Sequence, residues 1–120
     1  MRYGRSIRVD GYRKSSWGWD RKTLDIFLVG PATTHLEDAI HGPGLQLRAA
    51  DEPAVDIAFH AVFTGTLVEK GSPECLIDVS ALASGSTTLD GTGMSSAEAL
   101  AVQQGQDQLI LIRITCLDSS

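Results

Sequence analysis

Residues 54–63 alternate strictly between two faces, and residues 108–117 carry one wholly apolar side, which is typical of strands that bury one face. In residues 54–63, one side carries Val55, Ile57, Phe59, Ala61 and Phe63. In residues 108–117, one side carries Ile110, Ile112, Ile114 and Cys116. The other side of 108–117 is still half apolar, because Leu109, Leu111 and Leu117 lie there with Arg113 and Thr115. We therefore expect another element to cover one end of that second face.

Shorter apolar runs predict strands over 23–29 and 75–81, and a further short strand over 45–49. Ile7 and Val9 are followed by charged Arg8 and Asp10, the pattern of an edge strand whose exposed charges discourage further pairing. The pattern thus predicts a sheet of five or six strands.

Two short amphipathic helices are predicted between the strands. Thr34 with Glu37 three residues later has the form of a capping box, and Gly42 and Pro43 close this first helix after Ile40. Ser95 and Glu98 have the same spacing and also match a capping box. The second helix then carries Ala97, Leu100 and Ala101 on one side and ends at Gly105.

The order of the main elements predicts an α+β fold with a mainly antiparallel sheet. The sequence β-α-β-β-α-β, with an N-terminal edge strand added, is that of a ferredoxin-like sandwich. That topology makes the second and fourth strands edges, yet these are the most apolar strands here. Apolar edge strands would be compatible with this topology if two copies of the chain joined edge to edge or face to face. A partly open β-barrel with two helices is the alternative.

Charge is divided unevenly along the 120 residues, a length typical of one domain. Residues 1–22 hold seven of the ten Lys and Arg residues, while Asp10 and Asp20 are the acidic residues there. Four of the seven aromatic residues also lie in this segment, namely Tyr3, Tyr12, Trp17 and Trp19. We expect 1–22 to be an arm or edge strand of the domain formed by 23–120, and such polarity indicates association.

The leading functional hypothesis is a non-enzymatic homo-oligomer, with a dimer favoured, that binds a small ligand or a protein partner. Its predicted ligand-binding residues are Trp17, Trp19, Arg21 and His60. Cations interleaved with aromatic rings also suit single-stranded nucleic acid, which is the first alternative. The second is a small hydrolase or isomerase in which His60 works with a cross-strand carboxylate such as Asp78 or Asp25.

Other chemistry has little support in the sequence. There is no G-x-S-x-G, H-E-x-x-H or C-x-x-C motif, and His35 and His41 are six residues apart instead of the four of a zinc-binding helix. Hence no metal, no cofactor and no membrane partner are predicted. Cys75 and Cys116 lie in apolar runs, where buried free thiols are the more common outcome and a disulfide is the alternative. A cytoplasmic location is the default expectation.

Overall fold

A computed structural model of the chain describes residues 2–3, 7–20, 23–32, 36–50, 59–68, 74–82 and 94–116. For residues 2, 3, 17, 19, 20 and 59–61 the description covers the backbone. The predicted strand over 54–63 begins outside the described residues, since 54–58 lie there. None of the helices in the described ranges has the length and apolar character needed to span a bilayer.

The described residues form two sheets, and the larger has six strands, all paired antiparallel. Its strands in chain order are β3 (Arg13–Asp20), β4 (Thr23–Pro31), β6 (Leu45–Ala49), β7 (Phe59–Leu67), β8 (Cys75–Leu82) and β9 (Asp107–Cys116). Across the sheet they run β3-β4-β9-β8-β7-β6. The mainly antiparallel α+β architecture predicted from the sequence is thus confirmed.

The position of β9 differs from the ferredoxin-like order. In that order the strands corresponding to β4 and β8 lie side by side, whereas here β9 separates them. The reason is that β9 is apolar on both faces: consecutive residues Leu109 and Ile110 are both 0 % exposed. A central place between two strands buries both faces of such a strand. Among the described strands β3 and β6 remain at opposite edges, so the sheet is open and not a closed barrel.

A smaller, three-stranded sheet covers one face of the large one. It consists of β1 (Arg2–Tyr3), β2 (Ile7–Val9) and β5 (Ile40–His41), in the order β1-β2-β5. Ile7 and Val9 pack in one cluster with Ile26, Ile77 and Ile112 of the large sheet. Each fully buried side chain of this size contributes about 1.5 to 3 kcal/mol.

The prediction that Ile7 to Val9 forms an edge strand is wrong. Strand β2 pairs with β1 on one side and with β5 on the other, so it is central in its sheet. The charges of Arg8 and Asp10 lie on the outer surface, while Ile7 and Val9 face the core. The charged residues therefore mark the solvent face of a central strand.

The two helices differ in how closely they follow the sequence pattern. Helix α1 has the bounds Leu36–Ala39, shorter than predicted, because Ile40 and His41 pair with β2 as strand β5. Thr34 lies outside the described residues. Helix α2 has the bounds Ser96–Gln103, and the capping box of Ser95 and Glu98 is present. Gly105, at φ 80°, follows its C-terminal end.

Helix α2 lies at one end of the second face of the large sheet. It packs against β9, and Glu98 forms an ion pair with Arg13 of β3. Arg13 is opposite Val29, which is opposite Leu109, and both of these apolar side chains are buried. The expected cover over one end of the half-apolar face of β9 is thus confirmed.

Candidate binding surface on the large sheet

The cationic and aromatic N-terminal segment is built into the large sheet as strand β3. Trp17 is in register with Ile26 and Trp19 with Leu24, both in β4. Pairing is regular from Ser16 to Asp20 and irregular between Lys14 and Ser16, where the Ser15 hydroxyl donates to the Phe27 carbonyl at 3.1 Å. Because the β-ladder fixes the backbone of this segment, any partner meets a preformed strand.

The predicted ligand-binding residues are only partly brought together. Trp17 and Trp19 share β3, whereas Arg21 lies outside the described residues. His60 is in β7, and three strands separate β7 from β3. Four interstrand spacings correspond to about 19 Å along the sheet. The sheet therefore places the backbone of His60 far from the tryptophan-bearing strand.

The carboxylates predicted as partners of His60 have other neighbours. His60 is in register with Ala81, while Asp78 is in register with Thr64 on β7 and with Arg113 on β9. Asp25 is on β4, two strands beyond β8, and binds Arg113. The register thus gives no direct cross-strand pair of His60 with either acid.

A line of mostly polar residues crosses the second face of the large sheet, one from each strand. In sheet order this transverse row consists of Gly18, Asp25, Arg113, Asp78, Thr64 and Arg48. Directly opposite residues of antiparallel strands share a face, so the row is continuous. Sequence reasoning missed it, although charged residues interrupting apolar strands at 25, 78 and 113 were a signal.

Ion pairs and hydrogen bonds link the middle of the transverse row. Arg113 donates through Nε to Oδ1 of Asp25 at 2.8 Å and through Nη2 to Oδ2 at 3.2 Å. The hydrogen bond with Asp25, followed by the charges of Asp25 and Asp78, raises the pKa of Arg113. Thr64 Oγ1 donates to Asp78 at 2.9 Å. Exposed pairs of this kind contribute at most about 1 kcal/mol each, so the row adds little to stability.

A second ionic cluster lies on the small sheet. Asp10 accepts from Arg8 Nε at 3.0 Å and is 2.9 Å from His41 Nε2. The hydrogen bond with His41, and then the charge of Arg8, lower the pKa of Asp10. Arg8 and His41 are cross-strand partners in β2 and β5, which sequence spacing did not reveal. All three side chains are about half exposed.

Glu98 joins helix α2 to strand β3 and also caps the helix. Its Oε1 accepts from the Ser95 amide at 3.0 Å, and the Glu98 amide donates to Ser95 Oγ at 3.2 Å. The Ser95 amide lowers the pKa of Glu98, with a further contribution from Arg13. The charge of Arg13 is therefore balanced within the chain.

We expect Glu98→Gln to make stability less dependent on pH in mild acid. Because folding lowers the pKa of Glu98 from 4.5, the stabilisation is fully present above about pH 4.5. It is lost as the pH falls through the lower pKa of the folded state, and a helix cap is worth about 1 kcal/mol. Urea unfolding at several pH values would measure this. An exposed control, Glu74→Gln, should follow the wild type, and an equally steep pH dependence in Glu98→Gln would contradict the assignment.

The two cysteines form a disulfide, so the expectation of buried free thiols is wrong. Cys75 begins β8 and Cys116 ends β9, and the two are directly opposite in the antiparallel ladder. Their apolar surroundings suited a thiol, but the register brings both sulfurs to one place. Among the described residues, no three His, Cys, Asp or Glu side chains form a group suited to a metal ion.

Comparisons with protein-family models, curated proteins and solved structures found no match to this chain.

Proposed function

We propose that the protein is a homo-oligomeric binding module that associates through the outer side of β3. The observation that carries this proposal is that β3, with eight residues, is the outermost strand of the six-stranded sheet. An outermost strand offers a row of backbone donors and acceptors to another chain. Trp17, Trp19 and Arg21 are the residues proposed to contact a small ligand or protein partner.

Two structural features support association with protein over the alternatives from the sequence. Arg13 is already paired with Glu98, which reduces the positive charge available to a phosphate backbone. Asp78 and Asp25, the candidate partners of a catalytic His60, are bonded to Thr64 and Arg113. His60 is therefore not part of the proposed site. Noncovalent binding is the function that this arrangement favours.

The disulfide supports a further proposal, which concerns the cellular compartment of the protein. Disulfides persist in oxidising environments and are rare in the cytosol. The Cys75–Cys116 bond joins two central strands of the fold. We therefore favour an oxidising compartment over the cytoplasmic location expected from the sequence.

Sedimentation equilibrium tests the oligomeric part of the proposal. We expect a mass that rises with concentration from that of the 12.8 kDa chain to twice that value. The measurement should be made under oxidising conditions, which preserve the disulfide. A single species of one-chain mass at the highest soluble concentration would contradict the proposal.

A further inference from the structure

We infer that β3 pairs with β3 of a second copy of this chain, antiparallel and about a two-fold axis near Gly18. This inference rests on the proposed homo-oligomer and names its interface. The two six-stranded sheets would then join into one continuous sheet across the axis. An isologous contact of this kind uses the same strand from both copies and closes after two.

The regular part of β3 has the backbone geometry that strand addition requires. Five consecutive residues, 16–20, pair with β4 without interruption. Hydrogen-bonded and non-hydrogen-bonded pairs alternate in an antiparallel ladder, so every second residue of this segment directs its amide and carbonyl away from β4. The irregularity lies at the beginning of the strand, between Lys14 and Ser16, and leaves this segment intact.

Gly18, at the centre of that segment, has no described neighbour that sterically requires a glycine there. A Cβ added there meets no described atom within 4 Å, and its φ is not in the left-handed region. A glycine inside a strand costs about 0.5 to 1 kcal/mol relative to alanine. Glycine in a strand often marks the close approach of another backbone. Close approach of a second copy at this edge would be compatible with a glycine that no described neighbour requires.

Charge along β3 selects an antiparallel second copy. Strand β3 carries Lys14 near its beginning and Asp20 at its end, while the charge of Arg13 is balanced by Glu98. With the axis at Trp17, next to Gly18, antiparallel pairing places Lys14 of one copy opposite Asp20 of the other, whereas parallel pairing aligns like charges. Strand β6, at the other edge, is five residues long and carries Arg48 without any acid, so it lacks this complementarity.

Gly18→Lys tests the interface, with Gln46→Lys on β6 as the matched control. The Cβ added at 18 meets no described atom within 4 Å, so we expect an unchanged or slightly higher melting temperature. In the dimer, two ammonium groups near the axis should raise the dissociation constant at least about tenfold. Gln46→Lys, exposed on the opposite edge, should leave the dissociation constant unchanged. Equal dissociation constants for Gly18→Lys and wild type would overturn the inference.

A charge exchange provides a second test that does not depend on Gly18. Asp20→Lys alone and Lys14→Asp alone should each weaken the dimer, and the two together should restore it to within a few-fold. Absence of restoration would overturn the antiparallel arrangement. If wild type is monomeric, the proposed function fails; if it is dimeric and these variants are inert, only this interface fails. Stronger binding of a single-stranded oligonucleotide by Gly18→Lys, with unchanged mass, would assign the edge to nucleic acid instead and overturn the inference.

Discussion

Reduction of the Cys75–Cys116 disulfide is expected to lower the free energy of unfolding by about 3 to 4 kcal/mol. The bond closes a segment with a sequence separation of 41, which restricts the unfolded chain much more than the folded one. In the folded state the two residues are already held opposite each other by β8 and β9. For a domain of this size the loss corresponds to a decrease of roughly 10 to 20 °C in melting temperature.

Urea unfolding of the wild-type protein with and without dithiothreitol measures this loss of stability. The double variant Cys75→Ala/Cys116→Ala should be similarly destabilised and should not respond to the reductant. A wild-type midpoint that is the same in both conditions would show that the bond contributes little. A midpoint shift of the double variant with dithiothreitol would show that the reductant acts elsewhere.

The sequence predicts local structure well where a single segment carries the whole signal. The alternation of Ile110, Ile112 and Ile114 places β9, and the spacing of Ser95 and Glu98 places the beginning of α2. Each of these patterns depends on contacts within one strand or one helical turn. Helix α1 shows the limit of such reasoning, since Ile40 continues the helical spacing but is taken into β5 by pairing with Val9.

The arrangement of strands depends on pairing between distant segments, which local patterns do not determine. One clue was present: the most apolar strand, β9, was predicted at an edge by the ferredoxin-like order, which buries it poorly. Burial on both faces requires a central position, and the sheet provides it between β4 and β8. Hydrophobic content therefore carried information about strand order that the order of elements along the chain did not.

Prediction of the candidate site also depended on strand pairing, which local patterns do not determine. The segment with Trp17 and Trp19 was identified from its composition, but the strand that it forms, β3, was not predicted. Whether His60 lies near that segment depends on the order of strands in the sheet. In the observed order, three strands separate β7 from β3. The disulfide and the transverse row are also properties of register, which sequence spacing alone does not reveal.

Gly65→Ala is expected to destabilise the fold by about 3 kcal/mol or more, as overpacking against a rigid neighbour does. A Cβ at Gly65 of β7 would overlap the backbone carbonyl of Gln46 in β6, and it would lie 2.8 Å from the carbonyl carbon of that residue. A backbone group cannot rotate away as a flexible side chain can. Relief therefore requires β6 to move, together with Leu45 and Leu47, which pack against the core.

Gly18→Ala is the matched control, because it makes the same substitution inside a strand where a Cβ meets no described atom within 4 Å. It should leave stability unchanged or raise it by up to about 1 kcal/mol. Urea unfolding of both variants at a concentration where the chain is monomeric separates folding from association. Hydrogen exchange adds a local readout, since amides in β6 and β7 should lose protection first in Gly65→Ala. Equal stability of the two variants would contradict the close approach of β6 to β7, because that approach alone distinguishes the two sites sterically.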